Sequence, residues 1–167
     1  DGTAGCGASC ANYGLLSTNP IALSNKLSIC FWTYPKMSEV KEMIIHGTMS
    51  PGTAFEIYQS NLMIGLTGGS NTAIGTPNIL SLNAWNFICG IIENTNAKVY
   101  VNGTLQASGT VTASQFTSAP LNIGAYASGA YAFNGTIDDI TLWNRALTPE
   151  QVILLYQNKT NQMFHKE

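Results

Sequence analysis

Apolar and polar residues alternate along several short segments of this chain, most clearly in LSICFWTY at residues 27–34. Leu27, Ile29 and Phe31 fall on one face of an extended backbone, so the pattern predicts a β-strand. Pro35 ends this strand. The same criteria predict further strands at residues 43–46, 54–59, 61–67, 85–92 and 121–124. The segment 85–92 is apolar almost throughout, which is typical of a strand buried on both faces.

The sequence KVYVNGTLQ at residues 98–106 contains the strongest local turn signal. Asn102 and Gly103 separate two alternating segments, and both residue types tolerate the positive φ angles of a type I′ turn. The sequence therefore predicts a tight β-hairpin with its tip at these two residues.

The segment from residue 133 to residue 157 predicts a closing strand and then a helix. Thr148 and Gln151 form a Thr-x-x-Gln capping box, and Pro149 suits the first helical position. Three apolar residues then recur at helical spacing and predict one apolar stripe: Val152, Leu155 and Tyr156.

These patterns predict one all-β domain, an antiparallel β-sandwich (jelly roll) with one short C-terminal α-helix. Roughly nine or ten short strands with turn signals between them favour antiparallel pairing over parallel β/α units. A length of 167 residues suits a single core. The expected organisation is an irregular N-terminal arm at 1–20 with a short strand near 13–16, the sandwich at 21–157 and a C-terminal tail at 158–167.

Charged residues make up only 10% of the chain and the net charge is −2, while Gly, Ser, Thr and Asn are abundant. A nucleic-acid partner would need a basic stripe and is not expected. No apolar run approaches the length of about 18 residues of a membrane span, so membrane insertion is not expected either. A weakly charged polar surface is typical of extracellular proteins, whether secreted, on a cell surface or on a virion, and it opposes self-association only weakly.

Residues that could carry catalysis are few and poorly arranged. The chain has no Gly-x-Ser-x-Gly elbow, His-Glu-x-x-His helix or phosphate-binding loop. Glu39 and Glu42 lie in the charged segment SEVKE and are expected to be solvated. Asp138 and Asp139 are adjacent, so in a regular strand their side chains would point to opposite faces and could not act as a pair. The sequence therefore predicts a protein that is not an enzyme.

The segments LSICFWTYP, NAWNFIC, AKVYVNGTLQASG and NGTIDDITLWNRALTPEQVILLY occur in this order along the chain. They resemble the first core strand, the central strand, the Asn-Gly hairpin and the closing strand with its helix in laminin G-like and pentraxin-like jelly rolls. These domains have the concanavalin A-like lectin/glucanase architecture. The resemblance covers about residues 21–157 and implies the fold, but a fold does not specify a function.

The chain has four cysteines, and sequence alone leaves all three pairings open. Pentraxin-like domains carry one disulfide between the first core strand and the central strand, so the resemblance implies a Cys30–Cys89 bond. Cys6 and Cys10 are then left as a local pair. The alternatives are that Cys30 and Cys89 are buried free thiols and that Cys6 and Cys10 form a metal site. Two disulfides would indicate an oxidising compartment.

Calcium is the cofactor that the resemblance implies. Pentraxins bind paired calcium ions through two loops, whose counterparts here lie near residues 50–52 and 125–128. Neither segment contains a carboxylate, although a calcium site needs several hard oxygen ligands with some charge. Many jelly rolls of this class hold one structural Ca²⁺ with the aspartate that opens the last strand and with carbonyl groups of the N-terminal arm. Asp138 matches that aspartate; its alternative role is to cap a turn.

A sugar site would need aromatic platforms beside amides or acids at a loop rim. Tyr126 and Tyr131 lie in the segment YASGAY and are the candidate ligand-binding residues, with packing as their alternative role. The three tryptophans are expected in the core: Trp32, Trp85 and Trp143. Three Asn-x-Thr sequons are candidate glycosylation sites, and the first two also have turn-forming roles: Asn102, Asn134 and Asn158.

Two functions fit these observations. The first is an extracellular, non-catalytic binding or adhesion module that recognises a glycan or a protein through loops at the sandwich rim. The second is a self-assembling structural subunit of a surface appendage, filament or virion, in which free N-terminal arms pair with a neighbour's sheet edge. Glycoside hydrolysis is disfavoured, because glucanases of this architecture use a Glu-x-Asp-x-(x-)Glu pattern that the chain lacks.

Overall fold

The computed structural model describes residues 15–16, 25–39, 41–46, 55–60, 63–67, 73–111, 120–125 and 131–164. In this part of the chain, all strands pair antiparallel in two sheets, and a helix follows the last strand. The predicted class, an antiparallel sandwich with one C-terminal helix, is confirmed. In chain order the elements are β1 (Leu15–Leu16), β2 (Lys26–Pro35), β3 (Lys41–His46), β4 (Phe55–Ser60), β5 (Met63–Thr67), β6 (Ala73–Thr76), β7 (Asn86–Glu93), β8 (Asn96–Val101), β9 (Thr104–Thr110), β10 (Leu121–Ile123), β11 (Gly135–Trp143) and α1 (Pro149–Phe164).

The six-stranded sheet has the order β1-β10-β3-β4-β5-β6, and the five-stranded sheet has the order β11-β2-β7-β8-β9. The central pair of the second sheet, β2 and β7, was predicted from the two most apolar segments. The structure confirms that β7 is buried on both faces from Asn86 to Ile92. The sheet with these two strands at its centre carries the helix on its outer face.

Alternation along β2 divides the apolar residues between two cores. Leu27, Ile29 and Phe31 are fully buried between the sheets, in a cluster to which both sheets contribute. Cys30 and Trp32 lie on the opposite face of the strand, in a second cluster beneath α1. Burial of an aliphatic or aromatic side chain of this size contributes roughly 1.5–3 kcal/mol. The helix therefore covers apolar surface that one face of the sheet would otherwise expose.

The hairpin between β8 and β9 turns at the predicted residues. Asn102 and Gly103 have φ angles of 50° and 77°, as a type I′ turn requires. The N–H of Asn102 donates to the carbonyl of Phe87, and the Asn102 side-chain oxygen accepts from the N–H of Phe87, both at 2.8 Å. A Cβ at Gly103 would lie 3.0 Å from a ring carbon of Tyr156, so glycine also allows the helix to pack on the turn.

The predicted capping box is present at the start of α1. The N–H of Gln151 donates to the Thr148 hydroxyl at 3.3 Å, and the N–H of Thr148 donates to the Gln151 side chain at 3.1 Å. A backbone hydrogen bond at Glu150 and a hydrogen bond from Thr148 lower the pKa of the Glu150 carboxyl. An acidic group in the first turn also suits the helix dipole.

Two details differ from the sequence-based expectation. Strand β6 falls between the predicted strands and was not predicted, because it is only four residues long and contains a glycine. The helix continues to Phe164, well into the segment expected to be a tail. The short strand expected near residues 13–16 of the arm is confirmed as β1, which pairs with β10 at the sheet edge. In the part of the chain that is described, no helix is both long enough and apolar enough to cross a membrane.

Candidate ligand-binding surface

One end of the sandwich carries a group of four aromatic and apolar side chains, three of them exposed. Trp85 and Tyr34 lie there edge to face, with ring centroids 5.6 Å apart and an interplanar angle of 68°. Met37 and Leu82, each 38% exposed, belong to the segments that adjoin this pair. We call these four residues the aromatic patch.

The registry of the five-stranded sheet explains the position of the two rings. Asn86 pairs with Thr33, so Trp85 and Tyr34 are the next residues along β7 and β2 at the same end of the sheet. Side chains at directly opposed positions project from the same face. The two rings are therefore neighbours because the two strands end together.

The position of Trp85 corrects a prediction. The sequence places this residue in the core, at the start of an apolar strand, whereas its side chain is 36% exposed. Trp32 and Phe87 lie further into the same strands, and both pack against Tyr156 of the helix, with ring centroids 5.9 Å away. Trp32 is accordingly buried, as predicted, while Trp85 precedes β7 and is not part of the cluster under the helix.

The loop that carries Trp85 is fixed by a buried amide. The Asn86 side chain is 0% exposed; its oxygen accepts from the N–H of Ser81 at 3.0 Å. Its amide group donates to the carbonyl groups of Ser81 and Ala84, both at 2.9 Å. The N–H of Asn83 donates to the carbonyl of Pro35 at 2.8 Å and ties the loop to the end of β2. The exposed ring of Trp85 thus sits on a loop held at both ends.

Amide side chains accompany the aromatic patch. The Asn134 amide donates to the sulfur of Met37 at 2.9 Å, and the Asn134 carbonyl accepts from the N–H of Lys36, also at 2.9 Å. Asn83 is exposed and has a φ angle of 53°, in the left-handed region that asparagine tolerates. Aromatic rings beside amides are the side-chain types that sugar binding needs.

The structure describes one of the two predicted ligand-binding tyrosines. Tyr131 is 48% exposed with a φ angle of 54°, while Tyr126 lies outside the described residues. From Tyr131 the chain leads through Phe133, whose N–H donates to the carbonyl of Gly124, into Gly135 at the start of β11. Tyr131 is therefore an exposed residue of the same end of the sandwich, and its role in binding stays a prediction.

The predicted calcium ligand lies at a β-bulge. The registry of β11 with β2 shifts between Asp138 and Thr141, and Asp139 has a φ angle of 52°. The sequence-based argument that these two side chains point to opposite faces assumed a regular strand. Asp138 and Asp139 are not in regular strand geometry, so that assumption is wrong. One Asp138 carboxylate oxygen accepts from the N–H of Asp139 at 2.7 Å, which is the alternative, turn-capping role.

The described residues do not by themselves make a calcium site. Among them, no group of three or more His, Cys, Asp or Glu side chains could hold a metal ion. Apart from Leu15 and Leu16, the arm whose carbonyls the resemblance implies as further ligands lies outside the described ranges. Calcium at Asp138 therefore stays a prediction.

The predicted disulfide is present. Cys30 and Cys89 are bonded and directly opposed in β2 and β7, with their Cα atoms 4.1 Å apart. Both are almost fully buried beneath the helix. Cys6 and Cys10 lie outside the described residues, so their local pairing stays a prediction.

The three sequon asparagines lie at different kinds of site. Asn102 forms the hairpin tip, Asn134 bonds Met37, and Asn158 is exposed on the helix. The turn role of Asn102 is confirmed by its φ angle and its bonds to Phe87. Glycosylation of any of the three stays a prediction.

Comparison with known proteins identifies the family. The family model described as the concanavalin A-like lectin/glucanases superfamily matches residues 8–153, so the chain belongs to this superfamily. The mouse protein named pentraxin-related protein PTX3 is 27% identical over 146 residues, which cover 75% of this chain. The chain spans only 37% of the length of that relative.

Solved structures show the same fold at low sequence identity. A native heptameric SAP-like pentraxin from Limulus polyphemus has a TM-score of 0.72 at 18% identity, covering 92% of this chain and 79% of that one. Domain 4 of AbnA, a GH43 extracellular arabinanase from Geobacillus stearothermophilus in complex with arabinotriose, has a TM-score of 0.69 at 24% identity, covering 86% and 72%. The CBM40 of the Ruminococcus gnavus IT-sialidase, bound to α2,3 sialyllactose, has a TM-score of 0.69 at 16% identity, covering 86% and 96%.

Proposed function

We propose that this domain is a non-catalytic carbohydrate-binding module and that a saccharide binds at the aromatic patch. The observation that carries the proposal is the edge-to-face pair of the exposed Trp85 and the half-buried Tyr34, in a patch where the Asn134 amide bonds Met37. The C–H face of a pyranose or furanose ring packs on an aromatic ring, while amide groups bond its hydroxyls. The buried amide of Asn86 holds the loop before a ligand arrives, which favours binding.

The comparisons support a binding role for the fold. Domain 4 of the arabinanase was solved with arabinotriose, and the CBM40 of the sialidase was solved with sialyllactose. Both are similar in fold to this chain, and each is named as one part of an enzyme. Transfer of carbohydrate binding to this chain rests on the aromatic patch and not on these likenesses.

The acidic residues that the structure describes support a non-catalytic role. Retaining hydrolysis needs two carboxyl groups about 5–5.5 Å apart at the sugar. Asp138 and Asp139 are exposed at a bulge, where one Asp138 oxygen already accepts the N–H of Asp139. Calcium has no part in the proposed contacts.

An extracellular location belongs to the same proposal. The buried Cys30–Cys89 bond supports it, because structural disulfides persist in oxidising compartments and are rare in reducing ones. The low share of charged residues, 10%, supports it as well. The check is to express the domain in oxidising and in reducing compartments and to compare the yields of folded protein.

The proposal is tested by screening the purified domain on an array of neutral and acidic oligosaccharides that includes arabinotriose. The strongest hit is then titrated against the variants Trp85→Ala and Trp85→Phe. We expect Trp85→Ala to weaken binding by about tenfold or more, equivalent to about 1.4 kcal/mol, and Trp85→Phe to retain most of the affinity. Tyr131→Ala tests the residue predicted from the sequence in the same titration.

Leu105→Ala is the matched control, because Leu105 is a 46% exposed apolar residue on β9, outside the aromatic patch. Circular dichroism of each variant verifies that the fold is retained. A folded Trp85→Ala variant that binds the hit as tightly as the Leu105→Ala control would overturn the proposed location. Failure to bind any saccharide on the array would overturn the proposed function.

Self-assembly is the second candidate function, and one observation favours it. Among the described residues, the N-terminal strand pairs with β10 through two residue pairs, Leu15 with Ile123 and Leu16 with Asn122. A neighbour's arm could form the same short pairing at this sheet edge. Sedimentation velocity at two protein concentrations, with and without residues 1–20, tests it. A size that is independent of concentration in both forms would exclude arm exchange.

A further inference from the structure

A groove of about 410 Å³ lies on the outer face of the five-stranded sheet, beside the connection that leads into α1. This volume falls within the roughly 300–1,000 Å³ of small-molecule sites. The aromatic patch lies at the start of β7, whereas this groove lies at the end of that strand. We call it the helix-side groove, and its side chains include Ile91, Glu93, Asn96, Lys98, Ser108 and Thr110.

The sheet registry arranges these side chains in two rows. Lys98 of β8 is directly opposed to Ile91 of β7 and to Ser108 of β9. Directly opposed residues project from the same face, so an ammonium group, an apolar side chain and a hydroxyl form the first row. The second row consists of Glu93, Asn96 and Thr110. The groove therefore presents donors and acceptors around one apolar side chain.

The wall on the helix side is held by a buried hydroxyl group. Ala146 and Leu147 line the groove. The N–H of Leu147 donates to the Ser28 hydroxyl, and that hydroxyl donates to the carbonyl of Arg145, both at 2.9 Å. Ser28 is fully buried, so these bonds fix the wall to β2. This wall of the groove is thus anchored to the packed sheet.

The two charged residues of the groove, Glu93 and Lys98, differ in whether they form an ion pair. Glu93 forms a salt bridge with Lys26, with 2.9 Å between the ammonium nitrogen and the carboxylate oxygen. Lys98, by contrast, forms no ion pair with any residue that the structure describes. The groove therefore offers an uncompensated ammonium group beside hydroxyl and amide groups.

We propose that the helix-side groove binds an acidic saccharide, with the carboxylate of the sugar paired to Lys98. A charge-assisted hydrogen bond of this kind is roughly twice as strong as a neutral one. The sugar hydroxyls bond Ser108, Thr110 and Asn96, and the C–H face of the ring packs on Ile91. The carboxylate of Glu93 accepts a sugar hydroxyl at the opposite side of the groove. This site is separate from the aromatic patch and does not rest on the function proposed for it.

The test is a titration of the ¹⁵N-labelled domain with methyl β-D-glucuronide and with methyl β-D-glucoside, which differ in the carboxylate. We expect the chemical shifts of backbone amides of β7, β8 and β9 along the groove to change with the glucuronide. The affinity for the glucoside should be at least about tenfold lower. Raising the salt concentration should weaken the binding of the glucuronide, since an exposed ion pair is screened. Equal binding of the two sugars, or shifts confined to other residues, would overturn the proposal.

Two matched variants complete the experiment. Lys98→Gln should remove the preference for the glucuronide, while Lys36→Gln, which neutralises an exposed lysine at the other end of β2, should leave it unchanged. A Lys98→Gln variant that keeps the preference would overturn the assignment of the cation. Trp85→Ala separates the two sites, because loss of binding at the aromatic patch alone leaves the shifts in the helix-side groove intact.

Discussion

The Ser28 hydroxyl accepts a hydrogen bond from the N–H of Leu147 at 2.9 Å, across 119 residues of sequence. This contact joins the first long strand to the segment that starts the helix. Ser28→Ala would leave the buried N–H of Leu147 without its acceptor, and such a group costs about 1–3 kcal/mol. We expect the free energy of unfolding to fall by that amount in urea denaturation followed by circular dichroism.

Ser81→Ala is the control for this measurement. Ser81 is exposed, and its bonds to Asn86 use only the backbone. We expect a change of less than about 0.5 kcal/mol, as for surface substitutions in general. Equal effects of the two substitutions would contradict the role of Ser28 in fixing the helix connection.

Removal of the disulfide should destabilise the domain strongly. The bonded cysteines are separated by 59 residues, and on the chain-entropy model a loop of this size gives about 4 kcal/mol. We expect the double variant Cys30→Ala/Cys89→Ala to lose an amount of that order in guanidinium denaturation. The wild-type protein, unfolded with and without a thiol reductant, provides the comparison. A double variant as stable as the oxidised wild type would contradict a stabilising role for the bond.

The helix cap gives a smaller and more local prediction. Thr148→Ala removes the acceptor of the Gln151 N–H, which costs about 1 kcal/mol at such positions. For a chain of this size the melting temperature should fall by roughly 2–4 °C. Thr148→Ser keeps the hydroxyl and should restore most of the loss. A Thr148→Ser variant as unstable as Thr148→Ala would show that the methyl group, and not the hydrogen bond, matters.

Stability should fall in alkaline solution because of Tyr100. Burial in the cluster under the helix, and then the negative charge of Glu150, raise the pKa of this phenol. A pKa that is higher in the folded than in the unfolded state gives stability that is complete below the unfolded value of about 10 and is lost as the pH rises through the folded value. Urea denaturation between pH 8 and 11 measures the loss, and Tyr100→Phe should reduce its slope. An unchanged slope would assign the alkaline loss to other groups.

Local signals explain how much of the fold could be predicted from the sequence. The alternation from Leu27 to Phe31, the Asn102-Gly103 turn and the Thr148 cap each depend on only a few neighbouring residues, and all three are confirmed. The pairing of Cys30 with Cys89 came from the family resemblance, since spacing alone left three pairings open. The strand order of the two sheets depends on contacts distant in sequence.

The candidate sites could not be predicted in the same way. Trp85 resembles a core residue by type. It is exposed because α1 covers the sheet as far as Phe87 and does not extend over Trp85. Asn86 gave no signal, because an asparagine that organises a loop has the same sequence appearance as one in a solvated turn. The helix-side groove combines side chains of three strands with the wall before α1, so only the registry of the sheet brings Lys98 and Ser108 together.

The position of the disulfide beneath α1 has a kinetic consequence. Cys30 and Cys89 are 1% and 0% exposed, in the cluster that Val152 of the helix completes. A small thiol can reach either sulfur only after the helix has left the sheet. The rate of reduction of the folded domain therefore measures how often the helix detaches, and it sets how long the domain survives on entering a reducing environment.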